Sequence, residues 1–291
     1  MARTKVVIIN GGGKFGVIPI YFLKEAGVTD IREYVDVLGG TSIGGICALY
    51  LAQGKSAKDL HVDFNEACPD IFKSCWWRNF NFNCSKYPAQ NIEPFLKSTL
   101  VGQLGDLQDI KVIIPTMSFG KAKPKIFDNI IEDKDLEMCL WEIARATSAA
   151  PTYFPPYSED ILIDGGLLEN SPVVTTCTAI HSKMDIAYKD MDVLVLGTGY
   201  EETKHYTLKE VERFNKIDWL SKCILPWITK SNEMASHFYG QNMDLGSYTY
   251  YNPIKVSGEM DDTSNIVDHS LEKLCEPKAK EFKEIWKKFI K

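Results

Sequence analysis

The chain has 291 residues and a formal net charge of -6, with 45% hydrophobic and 25% charged residues. This balance is typical of a folded globular protein that buries a substantial core. The negative charge gives no electrostatic reason to expect nucleic acid as a partner. None of the eight cysteines stands in a C-x-x-C pair or at zinc-site spacing, so we expect buried, reduced thiols and neither a metal nor another cofactor.

The N-terminal residues lead directly into an apolar run, without the hydrophobic region of a signal peptide. No apolar stretch reaches the length of a membrane span. We therefore expect a cytoplasmic protein that meets membranes, if at all, from their surface.

Short apolar strands alternate with helical patterns in the first part of the chain. Lys5–Ile9 is a predicted strand, and helical spacing follows over Phe15–Ala26. A second predicted strand, Tyr34–Leu38, precedes a glycine-rich turn and another helix, Ile46–Gly54. This alternation predicts a layered α/β fold with a mostly parallel sheet.

The alternation continues to about Tyr200 and then fades into helices and a tyrosine-rich stretch. We find no repeat and no linker, so we predict a single domain over 1–291, with its core at about 5–200 and a C-terminal elaboration over 201–291. The other predicted elements are helices over Ala57–Phe72, Asn91–Val101 and Leu140–Ala150, and strands over Lys111–Thr116, Asp160–Asp164 and Asp192–Leu196.

The segment "GTSIG" matches G-x-S-x-G, the nucleophile elbow, and stands between a predicted strand and a predicted helix. A sharp strand-to-helix turn strains the central serine, and Gly40 and Gly44 remove Cβ atoms that would clash. Ser42 would then lie at the head of a helix, where the dipole favours developing negative charge. The competing interpretation is a glycine-rich turn with Ser42 as an N-cap.

The segment "DGGLLENSPV" places Asp164 after a predicted strand and before Gly165 and Gly166. The two glycines leave little bulk around the carboxylate, although an Asp-Gly turn without catalytic function has the same pattern. Acyl transfer requires a nucleophile, a base and an oxyanion hole. Ser42 and Asp164 have the chemistry of the first two.

The early segment "NGGGKFG" supplies candidate donors for the oxyanion hole. Gly11, Gly12 and Gly13 can point several N–H groups into one concavity, helped by the N–H of Ile43 after the nucleophile.

The same loop also matches the dinucleotide fingerprint G-x-G-x-x-G through Gly11, Gly13 and Gly16. That interpretation requires an acidic residue at the carboxyl end of the second strand. Asp36 is expected inside the strand, and Ser42 occupies the turn, so we favour the oxyanion interpretation.

Four motifs, "NGGGKFG", "GTSIG", "ARATSAAPTYFPP" and "DGGLLENSPV", occur in the order and spacing of the patatin-like phospholipases, which the first two-thirds of the chain resembles. The resemblance implies a three-layer α/β fold and a calcium-independent lipid acyl hydrolase without a catalytic histidine. It implies that Ser42 is the nucleophile and Asp164 the base, with Gly11–Gly13 as the oxyanion hole. It further implies that "TSAAPTYFPP" braces the site, and that the substrate is membrane or micellar lipid.

The sequence departs from the family pattern at two positions of the glycine loop. Asn10 stands where the family usually has aspartate, and Phe15 stands where it usually has arginine or lysine. Lys14 is one position earlier, and neighbouring helical side chains point about 100° apart, so it does not substitute directly.

Three other functions remain alternatives: a Ser–His–Asp hydrolase, a soluble carboxylesterase or acyltransferase of the same fold, and a non-catalytic lipid-binding protein. Without a histidine, Asp164 must accept the Ser42 proton itself, and partial burial would raise its basicity. The histidines after Asp164 are His181, His205, His237 and His269, and His61 precedes it.

Three segments suit a lipid–water interface, or alternatively the protein's own core. Two are rich in tryptophan, Cys75–Phe82 and Asp218–Trp227. The third is a basic amphipathic helix at the C-terminus, which either docks on its own domain or binds anionic membrane. Its apolar residues are Phe282, Ile285, Trp286, Phe289 and Ile290.

Overall fold

The computed structural model describes residues 3–74, 84–131, 133–202, 206–215, 218–219 and 225–291. The aromatic segment Cys75–Phe82 and the middle of Asp218–Trp227, residues 220–224, lie outside these ranges. The strands are β1 Thr4–Ile9, β2 Val37–Gly40, β3 Lys111–Ser118, β4 Lys123–Asp128, β5 Leu162–Ile163, β6 Met191–Leu196 and β7 Ser247–Tyr251. The helices are α1 Val17–Glu25, α2 Ile43–Ala52, α3 Ala57–Ile71, α4 Ala89–Thr99, α5 Leu140–Thr147, α6 Gly166–Glu169, α7 Val173–Met184, α8 Leu208–Val211, α9 Leu225–Asn242, α10 Ser264–Val267 and α11 Ser270–Phe289.

The strands form one sheet in the order β4-β3-β2-β1-β6-β7, with β5 paired to β3. The pairs from β3 to β7 along this order are parallel, and only β4 and β5 run antiparallel to β3. The predicted mostly parallel sheet is confirmed. Ile9 pairs with Gly40 on one side and Leu196 on the other, so the loops that follow β1, β2 and β6 meet at one edge.

Alternate residues of the central strands feed two separate apolar layers, as the two-residue period of a strand requires. Val7 and Ile9 of β1 pack in the larger layer with α1, α2 and α11. Val6 and Ile8 pack in the smaller layer, against Val173 and Ile180 of α7. The sheet thus lies between two helical layers, and the three-layer α/β expectation is confirmed.

Two strands are absent from the sequence prediction, and both lie at the edges of the sheet. β4 reads "KPKIFD" and β7 reads "SYTYY", and neither shows the continuous apolar run of a central strand. β7 pairs with β6 through residues such as Tyr250, opposite Val195. The sheet therefore continues beyond Tyr200, where the sequence pattern suggests only an elaboration.

The second strand begins later than predicted. The N–H groups of Tyr34 and Val35 both donate to the Ile31 carbonyl, so a turn occupies the expected start of the strand. Asp36 is consequently not inside the strand but just before it, where its exposed carboxylate accepts from the Lys5 N–H at 2.7 Å. It lies at the opposite end of β2 from the site where a dinucleotide ribose would be held.

The C-terminal helix α11 packs on its own domain. Phe282, Trp286 and Phe289 are buried in the larger apolar layer. The Phe282 ring lies 5.4 Å from that of Phe22 and 5.2 Å from that of Tyr251. Of the two alternatives for this helix, the structure shows docking. Within the described ranges, no helix combines the length and the apolar composition that a membrane span requires.

Candidate active site

Ser42 occupies a strained turn between β2 and α2. Its backbone has φ 55° and ψ -126°, in the half of conformational space that side chains with a Cβ rarely enter. The turn is compact, because a Cβ at Gly40 would lie 2.2 Å from the Gly44 carbonyl oxygen and one at Gly44 would lie 2.0 Å from that of Ile9. The Ser42 side chain makes no capping hydrogen bond to α2. Ser42 therefore occupies the N-cap position of α2, but its hydroxyl is not used to cap the helix.

The Ser42 hydroxyl donates instead to Asp164, 122 residues further along the chain, with Oγ 2.7 Å from Oδ2. The other carboxylate oxygen, Oδ1, accepts from the Gly166 N–H at 2.6 Å. Asp164 is only 6% exposed. Burial raises its pKa to about 6, although the hydrogen bonds from Ser42 and Gly166 act in the opposite direction.

A Ser–His–Asp triad requires an imidazole between the serine and the aspartate. The direct contact between Ser42 and Asp164 leaves no space for one. His237 is buried elsewhere, 2.6 Å from the Tyr248 hydroxyl and stacked on Tyr250, and burial lowers its pKa to about 4. His205 lies outside the described residues. The other histidines have partners away from the dyad: His61 and His269 contact Glu272, and His181 contacts the Ile186 carbonyl.

The end of α5 and the residues that follow it tie both loops together, as the resemblance implies. The Thr147 hydroxyl accepts from the Ser42 N–H at 3.1 Å and donates to the Pro115 carbonyl at 2.7 Å. The Thr147 carbonyl accepts from the Gly165 N–H, and the Ala149 carbonyl accepts from the N–H of Asp164. The nucleophile turn and the aspartate turn therefore share one rigid support.

The glycine loop passes beside Ser42, since a Cβ at Gly11 would lie 3.3 Å from the Ser42 Cβ. The expected role of Gly11 as an oxyanion donor needs correction, because its N–H donates to the Asn170 carbonyl at 2.9 Å. The N–H groups of Gly12, Gly13 and Ile43 make no hydrogen bond to any residue that the structure describes. The role of these three groups as oxyanion donors stays a prediction.

Neither Lys14 nor Phe15 offers a positive charge to a substrate. The Lys14 side chain is 1% exposed, its ammonium donates to the Asp262 carbonyl, and it lies 5.0 Å from the centre of the Phe15 ring. Burial lowers the pKa of Lys14. In this conformation the glycine loop therefore presents no accessible positive charge at position 14 or position 15.

Sequence reasoning missed three residues that hold the glycine loop. Thr198 follows β6 and donates to the Gly11 carbonyl at 2.7 Å, and the Asn170 carbonyl accepts from the Gly11 N–H. Asn170 lies within the motif "DGGLLENSPV", and Thr198 lies within "VLGTGY", at the end of the predicted strand Asp192–Leu196. Glu233 of α9 accepts from the side chains of both Asn10 and Asn170. No motif marks it.

The family model described as Patatin-like phospholipase matches residues 7–176. A cGAMP-activated phospholipase of Escherichia coli is 33% identical over 248 residues, which are 77% of this chain and 68% of that protein. Patatin-like protein 4 of Arabidopsis thaliana is 29% identical over 287 residues, covering 84% of this chain and 70% of that protein. Among solved structures, VipD from Legionella pneumophila is similar with a TM-score of 0.44 and 12% identity, over 95% of this chain and 67% of that one. This chain belongs to the patatin-like phospholipase family.

Proposed function

We propose that this protein is a lipid acyl hydrolase of the phospholipase A or lysophospholipase type, which cleaves carboxylic esters through an acyl-Ser42 intermediate. The observation that carries this proposal is the 2.7 Å hydrogen bond from a strained serine to a buried carboxylate, Asp164. Family membership supports lipid hydrolysis in general, and this contact supports the particular chemistry.

Asp164 acts as the base and takes the Ser42 proton while Oγ attacks the ester carbonyl carbon. The oxyanion that forms accepts from the N–H groups of Gly12 and Gly13 in the glycine loop and from that of Ile43 at the N-terminus of α2. Collapse of this intermediate breaks the ester bond, and the leaving alcohol takes the proton from Asp164. Water then attacks the acyl-serine, Asp164 accepts its proton, and the fatty acid leaves as Ser42 regains a hydrogen.

An ordinary aspartate is a weak base at neutral pH, and burial makes Asp164 a stronger one by raising its pKa. We expect kcat/KM for a soluble ester to fall tenfold per pH unit below about 6, because the pKa of free Asp164 is raised to about 6. An unshifted aspartate would keep about four-fifths of its activity down to about pH 4.5. The measurement is a pH–rate profile with p-nitrophenyl butyrate, with circular dichroism at each pH as the control for folding. A profile that stays flat to about pH 4.5 would contradict this role for Asp164.

We propose that the reaction requires no calcium, because main-chain N–H groups supply the oxyanion donors. The test is mass spectrometry of lipids extracted after incubation of phosphatidylcholine vesicles with the wild type and with Ser42→Ala, each with and without EDTA. We expect free fatty acid and lysolipid from the wild type alone, at the same rate in EDTA. Hydrolysis of soluble esters only would favour a carboxylesterase. Acyl transfer to an added alcohol would favour an acyltransferase, and lipid binding without products would overturn the enzyme assignment.

We further propose that the protein works in the cytoplasm and meets lipid at a membrane or micelle surface through the outer face of α9. Trp227, Met234 and Phe238 lie on one side of this helix and are 51%, 65% and 62% exposed. The opposite side carries Asn232 and Glu233, which contact the loop after Asp164. A bilayer on the outer face would therefore lie about one helix diameter, roughly 10 Å, from that loop. Aromatic and long apolar side chains suit this interfacial position.

The double variant Trp227→Ser/Phe238→Ser is expected to lower vesicle binding about tenfold or more, because two large apolar side chains are no longer transferred from water into the bilayer. Hydrolysis of a soluble ester should be unchanged. Vesicle flotation and the two rate assays check this, with Val101→Ser as an exposed apolar control beside Gln53. Equal losses on both substrates, or unchanged flotation, would overturn the assignment of this face.

A further inference from the structure

Glu233 joins three separate parts of the chain at the edge of the candidate site. Its Oε1 accepts from the Asn10 amide at 3.2 Å and from the Tyr250 hydroxyl at 2.9 Å. Its Oε2 accepts from the Asn170 amide at 2.8 Å. Asn10 ends the segment before the glycine loop, Tyr250 belongs to β7, and Asn170 follows α6. One carboxylate thus spans elements that are distant in sequence, since 223 residues separate Asn10 from Glu233.

The neighbouring Asn232 strengthens the same connection. Its Oδ1 accepts from the Asn170 N–H at 3.1 Å, and its Nδ2 donates to the Gly166 carbonyl at 2.9 Å. Gly166 in turn donates its N–H to Asp164. Helix α9 therefore holds the aspartate loop through Asn232, and holds the glycine loop against it through Glu233.

The net charge around the Glu233 carboxylate depends on the residue at position 10. Asn10 is fully buried, and its amide donates to a carboxylate that other neutral donors also hold. The titratable groups facing Glu233 are Tyr248 and Tyr250, whose pKa values are raised by burial, and His237, 3.9 Å away, whose pKa is lowered to about 4 by burial. In the described part of the chain, no lysine or arginine forms an ion pair with Glu233. An aspartate at position 10 would place two carboxylates together without a cation between them.

We propose that Glu233 is a positioning residue for ester hydrolysis, and that Asn10 is its matched partner in this chain. Glu233 fixes the glycine loop relative to Ser42 and Asp164. This inference rests on the proposed function and adds a residue outside the segment 7–176 that the family model matches. It also gives a physical reason for asparagine at the position where the family resemblance leads one to expect aspartate.

The test compares wild type, Asn10→Asp, Glu233→Gln and Asn10→Asp/Glu233→Gln on a soluble ester between about pH 5.5 and 8.5. We expect Asn10→Asp to lower kcat about 10- to 100-fold at about pH 8 with KM little changed, since a small displacement of donors is costly. Its rate relative to wild type should rise as the pH falls, because the facing carboxylates then share a proton. The double variant should recover to within about threefold of wild type, because the glutamine side chain that Glu233→Gln introduces has an amide that can donate to an aspartate.

The matched control is Tyr250→Phe. It removes a hydrogen bond to the same Glu233 carboxylate, but Tyr250 belongs to β7 and to neither catalytic loop. It should change kcat less than about threefold. Thermal unfolding of each variant separates misfolding from misplacement. A double variant no more active than Asn10→Asp, or a relative rate independent of pH, would overturn the proposal.

A different result would contradict the proposed function itself: wild type and Ser42→Ala would turn over ester at the same rate. Even then, the rate at which a fluorophosphonate modifies Ser42 reports on positioning without turnover. It should follow the same order across the four proteins, and equal labelling rates would contradict the role of Glu233.

Discussion

Replacing Ser42 with alanine is expected to lower kcat for a soluble ester by about 10⁴-fold or more, while the protein stays folded. In the proposed mechanism the hydroxyl supplies the atom that forms the acyl-enzyme, and Asp164 cannot replace it because Asp164 acts as the base. Residual activity would come only from the oxyanion donors and from substrate binding.

The measurement is steady-state kinetics with p-nitrophenyl butyrate, together with circular dichroism to verify folding. Ser98→Ala serves as a matched control, since the only partner of its hydroxyl among the described residues is the Phe95 carbonyl within α4. We expect Ser98→Ala to behave as wild type. Ser42→Ala with more than about one-hundredth of wild-type activity would exclude Ser42 as the nucleophile.

Replacing Asp164 with asparagine is expected to lower kcat about 10³- to 10⁴-fold, because the amide cannot accept the serine proton. The same variant should be more stable at neutral pH. The pKa of Asp164 is raised from 3.8 to about 6 in the folded state. The folded state therefore binds this proton more tightly than the unfolded state, and that stabilisation is complete below about pH 4 and lost as the pH rises through about 6. At about pH 8 the ionised carboxylate costs about 3 kcal/mol, which asparagine avoids.

Urea denaturation at about pH 4 and about pH 8 checks the stability of Asp164→Asn. We expect free energies of unfolding close to wild type at about pH 4 and a gain of up to about 3 kcal/mol at about pH 8. The loss of activity alongside a gain in stability would identify a group held in a costly state for catalysis. A variant that is less stable than wild type at the higher pH, or that keeps its activity, contradicts the account of Asp164.

The predictions for Ser42 and Asp164 were possible because their constraints are local. A serine at positive φ needs small neighbours at fixed offsets, which leaves the readable pattern "GTSIG", and an aspartate that must be approached closely is followed by glycines. The central strands β1, β2, β3 and β6 were predictable for a similar reason, since burial on both faces requires continuous apolar runs.

What the sequence did not reveal depends on tertiary neighbours. β4 and β7 lie at the sheet edges, where one-sided burial weakens the pattern. The Gly11 N–H is engaged because Asn170 is brought beside it from 159 residues away. Glu233 acts through amides that the fold gathers around it, and a single glutamate in a helix carries no local signal of such contacts. Asn10 gave a signal as a departure from a family pattern, but its partner became visible only in the structure.

The central claim is that Ser42 is the activated nucleophile of this protein. The most direct measurement is peptide mass mapping after reaction with a fluorophosphonate, which modifies activated serine hydroxyls. We predict a single phosphonylated peptide that contains Ser42 in the wild type, and no labelling of Ser42→Ala or of unfolded wild type. Labelling of another residue with Ser42 unmodified, or no adduct in a folded protein that hydrolyses lipid, would contradict the account.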